Sequence, residues 1–189
     1  MITLISGGRG LIGSAIAKHL GPGVVTYDLP EGFPPADTDY DAFIDCARYD
    51  HQLLQMDTWN EVIENFKRWD GGKIIFFSSI YGHKAPDFGI YYGTEIAPPK
   101  IQYAMEKAAV EQATRYYAEY LKPWGIQVNC IAPGGVCNNH SERFQQEYFT
   151  SGNADMILTK NLFPVVDMLL HEDNAVNGQV ITVDGGWRL

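Results

Sequence analysis

Cysteine is scarce in this chain: Cys46, Cys130 and Cys137 are the only three in 189 residues. An odd, scattered set builds neither a disulfide framework nor a paired metal-ligand motif, and it suits a reducing cytoplasm. Basic residues are also few. Lys and Arg number 14 against 23 Asp and Glu, giving a formal net charge of −9. Such a surface repels phosphate backbones and anionic lipid, so neither nucleic acid nor a membrane is expected as a partner. No run of about 18 apolar residues occurs, so no segment spans a bilayer. Met1 leads directly into a short apolar run, without the basic-then-apolar layout of a secretion signal. His51, His83, His140 and His171 stand at no metal-collecting spacing, and no metal site is expected.

What remains describes a globular chain. Apolar residues make up 46%, and the length fits a single domain over residues 1–189. Short apolar runs at Ile2 to Ser6, Val24 to Tyr27, Ala42 to Ile44, Lys73 to Phe77, Ile126 to Ile131 and Gln179 to Val183 predict strands. Between them, Leu11, Ile12, Ala15, Ile16, His19 and Leu20 recur at helical spacing. So do Trp59, Val62, Ile63, Phe66 and Trp69 within 52–69. A long helix is expected from Ile101 to Leu121 and another around Leu158 to Leu170, with loops over 29–41, 78–100 and about 133–155. Strands alternating with helices predict an α/β fold, a doubly wound and mostly parallel Rossmann-type sheet of about six strands.

The first turn carries a recognisable chemistry. Ser6-Gly7-Gly8-Arg9-Gly10-Leu11-Ile12-Gly13 lies between a strand and a helix. Glycines at 7, 10 and 13 permit a tight turn, close approach to a pyrophosphate and helix–strand packing. Leu11 and Ile12 open the helix whose unpaired N–H groups would face the phosphates. Asp28, near the end of the second strand, is placed to accept from ribose hydroxyls and to repel a 2′-phosphate. Arg9 pulls the other way, toward that phosphate. NAD is therefore the expected cofactor, with NADP as the alternative.

Tyr103 and Lys107 lie four residues apart on one helical face. A free phenol titrates near 10, too high for efficient proton exchange at neutral pH, and a nearby cation favours the phenolate. Spacing alone would leave them a surface pair. However, Ser78-Ser79-Ile80-Tyr81-Gly82 follows a buried-strand pattern, where the carboxyl ends of strands carry the site.

These motifs, with Val128-Asn129-Cys130-Ile131-Ala132-Pro133-Gly134, Asn177-Gly178-Gln179 and Val183-Asp184-Gly185-Gly186, occur in order along the chain. Together they resemble the short-chain dehydrogenase/reductase family. The resemblance implies that Ser79 orients the carbonyl or alcohol, Tyr103 is the acid/base, and Lys107 serves both Tyr103 and the nicotinamide ribose. Pro133, Gly134 and Val136 would line the nicotinamide pocket, and Asn65 is the nearest match to the family's catalytic asparagine. Pairing through the Tyr–Lys helix, as a homodimer or homotetramer, is implied too.

The chain departs from the family in places. Asp45-Cys46-Ala47-Arg48 stands where Asn-Asn-Ala-Gly is usual, a turn that flanks the cofactor and so includes Cys46 and Ala47. Only about 12 residues separate Asp28 from Ala42, too few for the family's second helix and third strand. A strand order of 2-1-4-5-6-7 in family numbering is expected. Asn138 occupies the place of a frequent threonine. The segment from Ser79 through Tyr81, Tyr91 and Thr94 is similar to oxidoreductases of bacterial surface-sugar biosynthesis, and Tyr81, Tyr91, Tyr92 and Glu95 could line a polyol pocket.

The expected function is hydride transfer between NAD(P) and a hydroxyl/carbonyl pair, with a sugar derivative as the candidate substrate. The alternatives are a non-catalytic dinucleotide-binding relative and a sugar epimerase or dehydratase that recycles bound NAD.

Overall fold

Strands buried on both faces read as continuous apolar runs, and the computed structural model shows why these do. It describes residues 1–28, 38–47, 52–67 and 71–187, without the side chains of 52–56, 58 and 65. Among the described residues six strands, β1 (Thr3–Ser6), β2 (Val24–Tyr27), β3 (Ala42–Asp45), β4 (Gly72–Phe77), β5 (Ile126–Pro133) and β6 (Val180–Val183), form one sheet in the order β2-β1-β3-β4-β5-β6. Every pairing is parallel. This is the doubly wound α/β sheet, and β2 lies at its edge.

Successive residues on a strand point to opposite faces. Leu4, Phe43, Ile74, Phe76 and Val128 therefore meet one cluster, which includes Trp59, Val62, Ile63 and Phe66 of α2 (Gln52–Phe66) and Val110 and Tyr117 of α3 (Ile101–Tyr120). Ile5, Ile44, Ile75, Phe77 and Ile131 meet the other, with Ile16 of α1 (Leu11–Leu20). A third cluster caps the carboxyl end of the sheet with Ile80, Ile90, Phe144, Tyr148 and Trp187.

Several expectations need correction. Residues 142–152 were expected in a loop but form a helix, α4 (Glu142–Gly152), whose Ser141 cap accepts from the Phe144 N–H at 3.2 Å. The helix expected over 158–170 divides into a tight 3-10 turn, Thr159–Leu162, and α5 (Phe163–Leu170), where Pro164 sits in the first turn. On α1, Leu11 is exposed; Ile12, Gly13 and Ile16 turn inward instead. α2 ends at Phe66, and Trp69 lies outside the described residues. No helix among the described residues is long and apolar enough to cross a membrane.

Candidate active site

The carboxyl ends of parallel strands gather loops at one edge of a sheet, and the site residues lie there. After β1 the chain turns through Gly7 and enters α1. A Cβ on Gly13 would lie 2.2 Å from the Gly7 carbonyl oxygen, so only glycine lets the helix sit this close to the loop. No side chain caps the α1 N-terminus at Gly10. Its backbone donors and the positive end of the helix dipole suit an anion. Asp28 closes the cradle: its Oδ2 accepts from the Arg9 N–H at 3.1 Å and lies 3.8 Å from Arg9 Nε. The two residues expected to compete over a 2′-phosphate thus contact each other.

Cys46 and Ala47 flank the same loop, since a Cβ on Gly7 would meet the Cys46–Ala47 backbone at 2.7 Å. Burial, with the neighbouring Asp45, holds the Cys46 thiol well above its ordinary range. Asp45 itself is 2% exposed. It accepts from the Ser6 hydroxyl, from the Ala47 N–H at 3.2 Å and from Trp59 Nε1 at 2.6 Å. Arg48 lies outside the described residues.

After β4, Ser78 and Ser79 take separate roles. Ser78 Oγ donates to the Lys107 carbonyl at 2.8 Å, tying the strand end to α3. Ser79 caps the 3-10 turn Ile80–Gly82 by accepting from the Tyr81 N–H at 3.3 Å. A hydroxyl that accepts here keeps its own proton for another partner.

Ser79 and Tyr103 both line a cavity of about 730 Å³. Ile12 of α1, and Pro133, Gly134 and Val136 at and just beyond the end of β5, line it too. Lys107, one turn after Tyr103, places Nζ 5.8 Å from the Tyr103 ring centroid and donates to the Phe77 carbonyl at 3.0 Å. Gly7, Gly10, Gly13 and Asp28 form the adjoining cradle at the β1 and β2 ends. Asn65 lies on α2, with its side chain outside the described residues.

The substrate side of the cavity departs from expectation. Tyr81 and Tyr91 line it, with their hydroxyls 2.8 Å apart, but Tyr92 is exposed and Glu95 instead accepts from the Ser141 hydroxyl at 2.6 Å. Asn138 is not among the lining residues; its N–H donates to His140 Nδ1 at 3.0 Å. His140, Phe144 and Tyr148 supply the far wall, which a loop over 133–155 does not predict. Their signal was present: Ser141 before Glu142 is an N-cap pattern, and Phe144 and Tyr148 stand at i, i+4. Burial pushes the Tyr148 phenol up to about 12, so it stays protonated at neutral pH while accepting from the Gly135 N–H at 2.9 Å. No group of three or more metal-ligating side chains occurs among the described residues.

Comparison with known proteins agrees with this fold. The family model described as enoyl-(acyl carrier protein) reductase matches residues 59–188. Post-translational flagellin modification protein A of Campylobacter coli is 30% identical over 131 residues, covering 68% of this chain and 51% of its own length. D-xylose 1-dehydrogenase of Caulobacter vibrioides is 28% identical over 137 residues, covering 67% and 50%. The chain thus spans about half the length of the curated relatives it matches. A short-chain dehydrogenase of Leptospira borgpetersenii with bound NAD+ superposes with a TM-score of 0.79 at 27% identity, covering all of this chain and 92% of that one. With its parallel sheet, glycine cradle and ordered Ser79, Tyr103 and Lys107, the chain belongs to the short-chain dehydrogenase/reductase family.

Proposed function

We propose that this chain is an oxidoreductase that transfers hydride between NAD(P) and a hydroxyl/carbonyl pair, with Tyr103 exchanging the proton. The observation that carries this reading is the convergence of Ser79, Tyr103 and the Pro133–Gly134 wall on one cavity beside the glycine cradle. The cradle fits a dinucleotide: Gly7, Gly10 and Gly13 bring backbone close to a pyrophosphate, the α1 N-terminus faces it, and Asp28 receives ribose hydroxyls. Cys46, Ala47 and Val136 border its path toward Lys107. A bound nicotinamide supplies or accepts the hydride.

The chain's own residues handle the proton. Ser79 donates its free hydroxyl proton to the substrate oxygen and fixes its position. Tyr103 gives its proton to that oxygen in reduction and removes it in oxidation. The Lys107 ammonium offers positive charge to the resulting phenolate and a donor to the ribose. Asp28 beside Arg9 favours NAD over NADP, because the carboxylate offsets the one guanidinium in the loop.

A polyhydroxylated substrate, such as a sugar derivative, fits the far wall. The Tyr81–Tyr91 pair spends one phenolic proton on its own contact and leaves the other for a ligand. Phe144, stacked on His140 with centroids 5.2 Å apart, offers an aromatic face to C–H groups. The chain as a whole is proposed to be one dinucleotide-binding domain working in the cytoplasm, where Cys46, Cys130 and Cys137 remain thiols. It is further proposed to pair as a homodimer or homotetramer through α3, whose outer face exposes Ile101, Met105, Tyr116 and Tyr120.

The test is reduction of NAD and NADP followed at 340 nm with xylitol, D-xylose and cyclohexanol. Turnover is expected with NAD and the two polyols ahead of cyclohexanol. Tyr103→Phe should cost at least about 100-fold in kcat with NAD affinity retained. A fully active Tyr103→Phe enzyme would overturn the assignment.

A further inference from the structure

Beneath the cavity lies a polar cluster that the proton chemistry does not use. Glu111, one turn beyond Lys107 on α3, is 5% exposed. Its Oε1 receives His83 Nδ1 at 2.6 Å and lies 3.2 Å from Ser78 Oγ. His83 and Ser78 stand at the two ends of the short turn that carries Ser79. Between them Gly82 presses on α3: a Cβ there would fall 2.6 Å from Glu111 Oε1 and 2.9 Å from the Lys107 carbonyl carbon. The turn is therefore hydrogen-bonded to α3 at both ends, and Gly82 packs closely against the stretch of helix that presents Lys107.

A buried carboxylate costs desolvation, and an apolar side chain would fill this place at lower cost. Its inward-facing neighbours Val110, Tyr117 and Ala118 do that on the same helix. What the carboxylate adds is direction, because a hydrogen bond fixes angle and distance where an apolar contact does not. We propose that Glu111 and His83 are positioning residues for Ser79, setting the 78–83 turn against α3 so that the Ser79 hydroxyl and the Tyr103 phenol meet the same substrate oxygen. This rests on the catalytic reading of Ser79, Tyr103 and Lys107 given above.

Two measurements on Glu111→Leu, Glu111→Gln and His83→Ala test it, with Tyr103→Phe in parallel. Amide hydrogen exchange, with no substrate present, reads the turn directly. Exchange at Tyr81, Gly82 and His83 should rise about 10-fold or more in Glu111→Leu and His83→Ala, and Glu111→Gln should restore protection by keeping an acceptor. Xylitol oxidation with NAD reads the consequence: kcat should fall about 10- to 100-fold in the same two variants, with NAD Kd unchanged and recovery in Glu111→Gln. His83→Ala acts from the half-exposed end of the cluster, and it decides the matter where Glu111→Leu fails to fold. Unchanged exchange at 81–83 overturns the proposal, as does a kcat loss accompanied by an equal loss of NAD affinity. A fully active Tyr103→Phe enzyme instead overturns the catalytic reading, and the exchange data then still decide whether Glu111 sets the turn.

Discussion

Asp45 shows how one residue can depart from a family pattern for a reason located elsewhere in the chain. Among its partners in the described residues are Ser6 Oγ and the Ala47 N–H on Oδ1, and Trp59 Nε1 on Oδ2. Asparagine, the usual residue here, has one acceptor oxygen. Its NH2 would point a donor at either the indole N–H or the serine hydroxyl. Asp45→Asn should therefore destabilise the fold by about 1–3 kcal/mol, the cost of leaving a buried donor unpaired. Trp59→Phe in that background should recover part of the loss, since it removes the orphaned indole N–H. Urea unfolding of the two single variants and the double variant measures the coupling, and additive losses would show that the Asp45–Trp59 bond is not the cause. The sequence displayed Asp45 as an anomaly in a turn, but Trp59 lies 14 residues on. Only the packing of α2 over β3 brings them together. By contrast, Ser79, Tyr103 and Lys107 were legible, because each falls at a fixed place beside a strand end or on one helical face.

Helices show the same division between local and distant information. α1 and α3 could be read from their periodicity and flanking glycines, but α4 was read as loop, because much of its support comes from outside it. Ser141 Oγ donates to Glu95 at its first turn, and Ser151 Oγ donates to Asp87 at its last, each at 2.6 Å. These bonds, together with the Gly89 and Ser141 N–H groups, hold both carboxyls below their ordinary range. The sign follows directly. A carboxyl with a lower folded than unfolded pKa stabilises the fold above its unfolded value, about 3.9 for Asp and 4.3 for Glu, and that contribution fades as pH falls through the folded value. α4 should therefore loosen between about pH 5 and 3, ahead of the sheet. Tyr148 and Trp187, stacked with centroids 4.8 Å apart, report it through near-ultraviolet circular dichroism. Coincident loss of that signal and of the far-ultraviolet signal would contradict a separate release. Ser141→Ala and Ser151→Ala together should move the release to higher pH by weakening the clamp.

At the scale of the whole molecule, the outer face of α3 decides whether the chain works alone or in pairs. Among the described residues α2 alone lies between β3 and β4, and α3 presents Met105, Tyr116 and Tyr120 outward beside a groove of about 620 Å³ shared with Trp59, Ile63 and Val110. Ile101 and Met105 stand four apart, as do Tyr116 and Tyr120, and the 11 residues between the two pairs are about three helical turns, so all four fall on one side of α3. Their stripe is interrupted by the exposed Gln112, and a two-fold pairing of α3 with its copy would cover its apolar residues. The proposed homodimer can be tested at that stripe. Tyr116→Glu should bring two carboxylates close to the two-fold axis in the dimer while costing the exposed monomer position less than about 0.5 kcal/mol. Light scattering should then find a dimer for the wild type and a monomer for Tyr116→Glu, with thermal stability falling as protein concentration is lowered in the wild type alone. A wild-type monomer at high concentration would refute the pairing. A Tyr116→Glu dimer would move the interface away from α3. Because α3 also carries Tyr103 and Lys107, loss of pairing should reduce kcat together with stability, so the same variant tests whether the fold relies on a second copy to hold the helix of the proposed Tyr103–Lys107 pair in place.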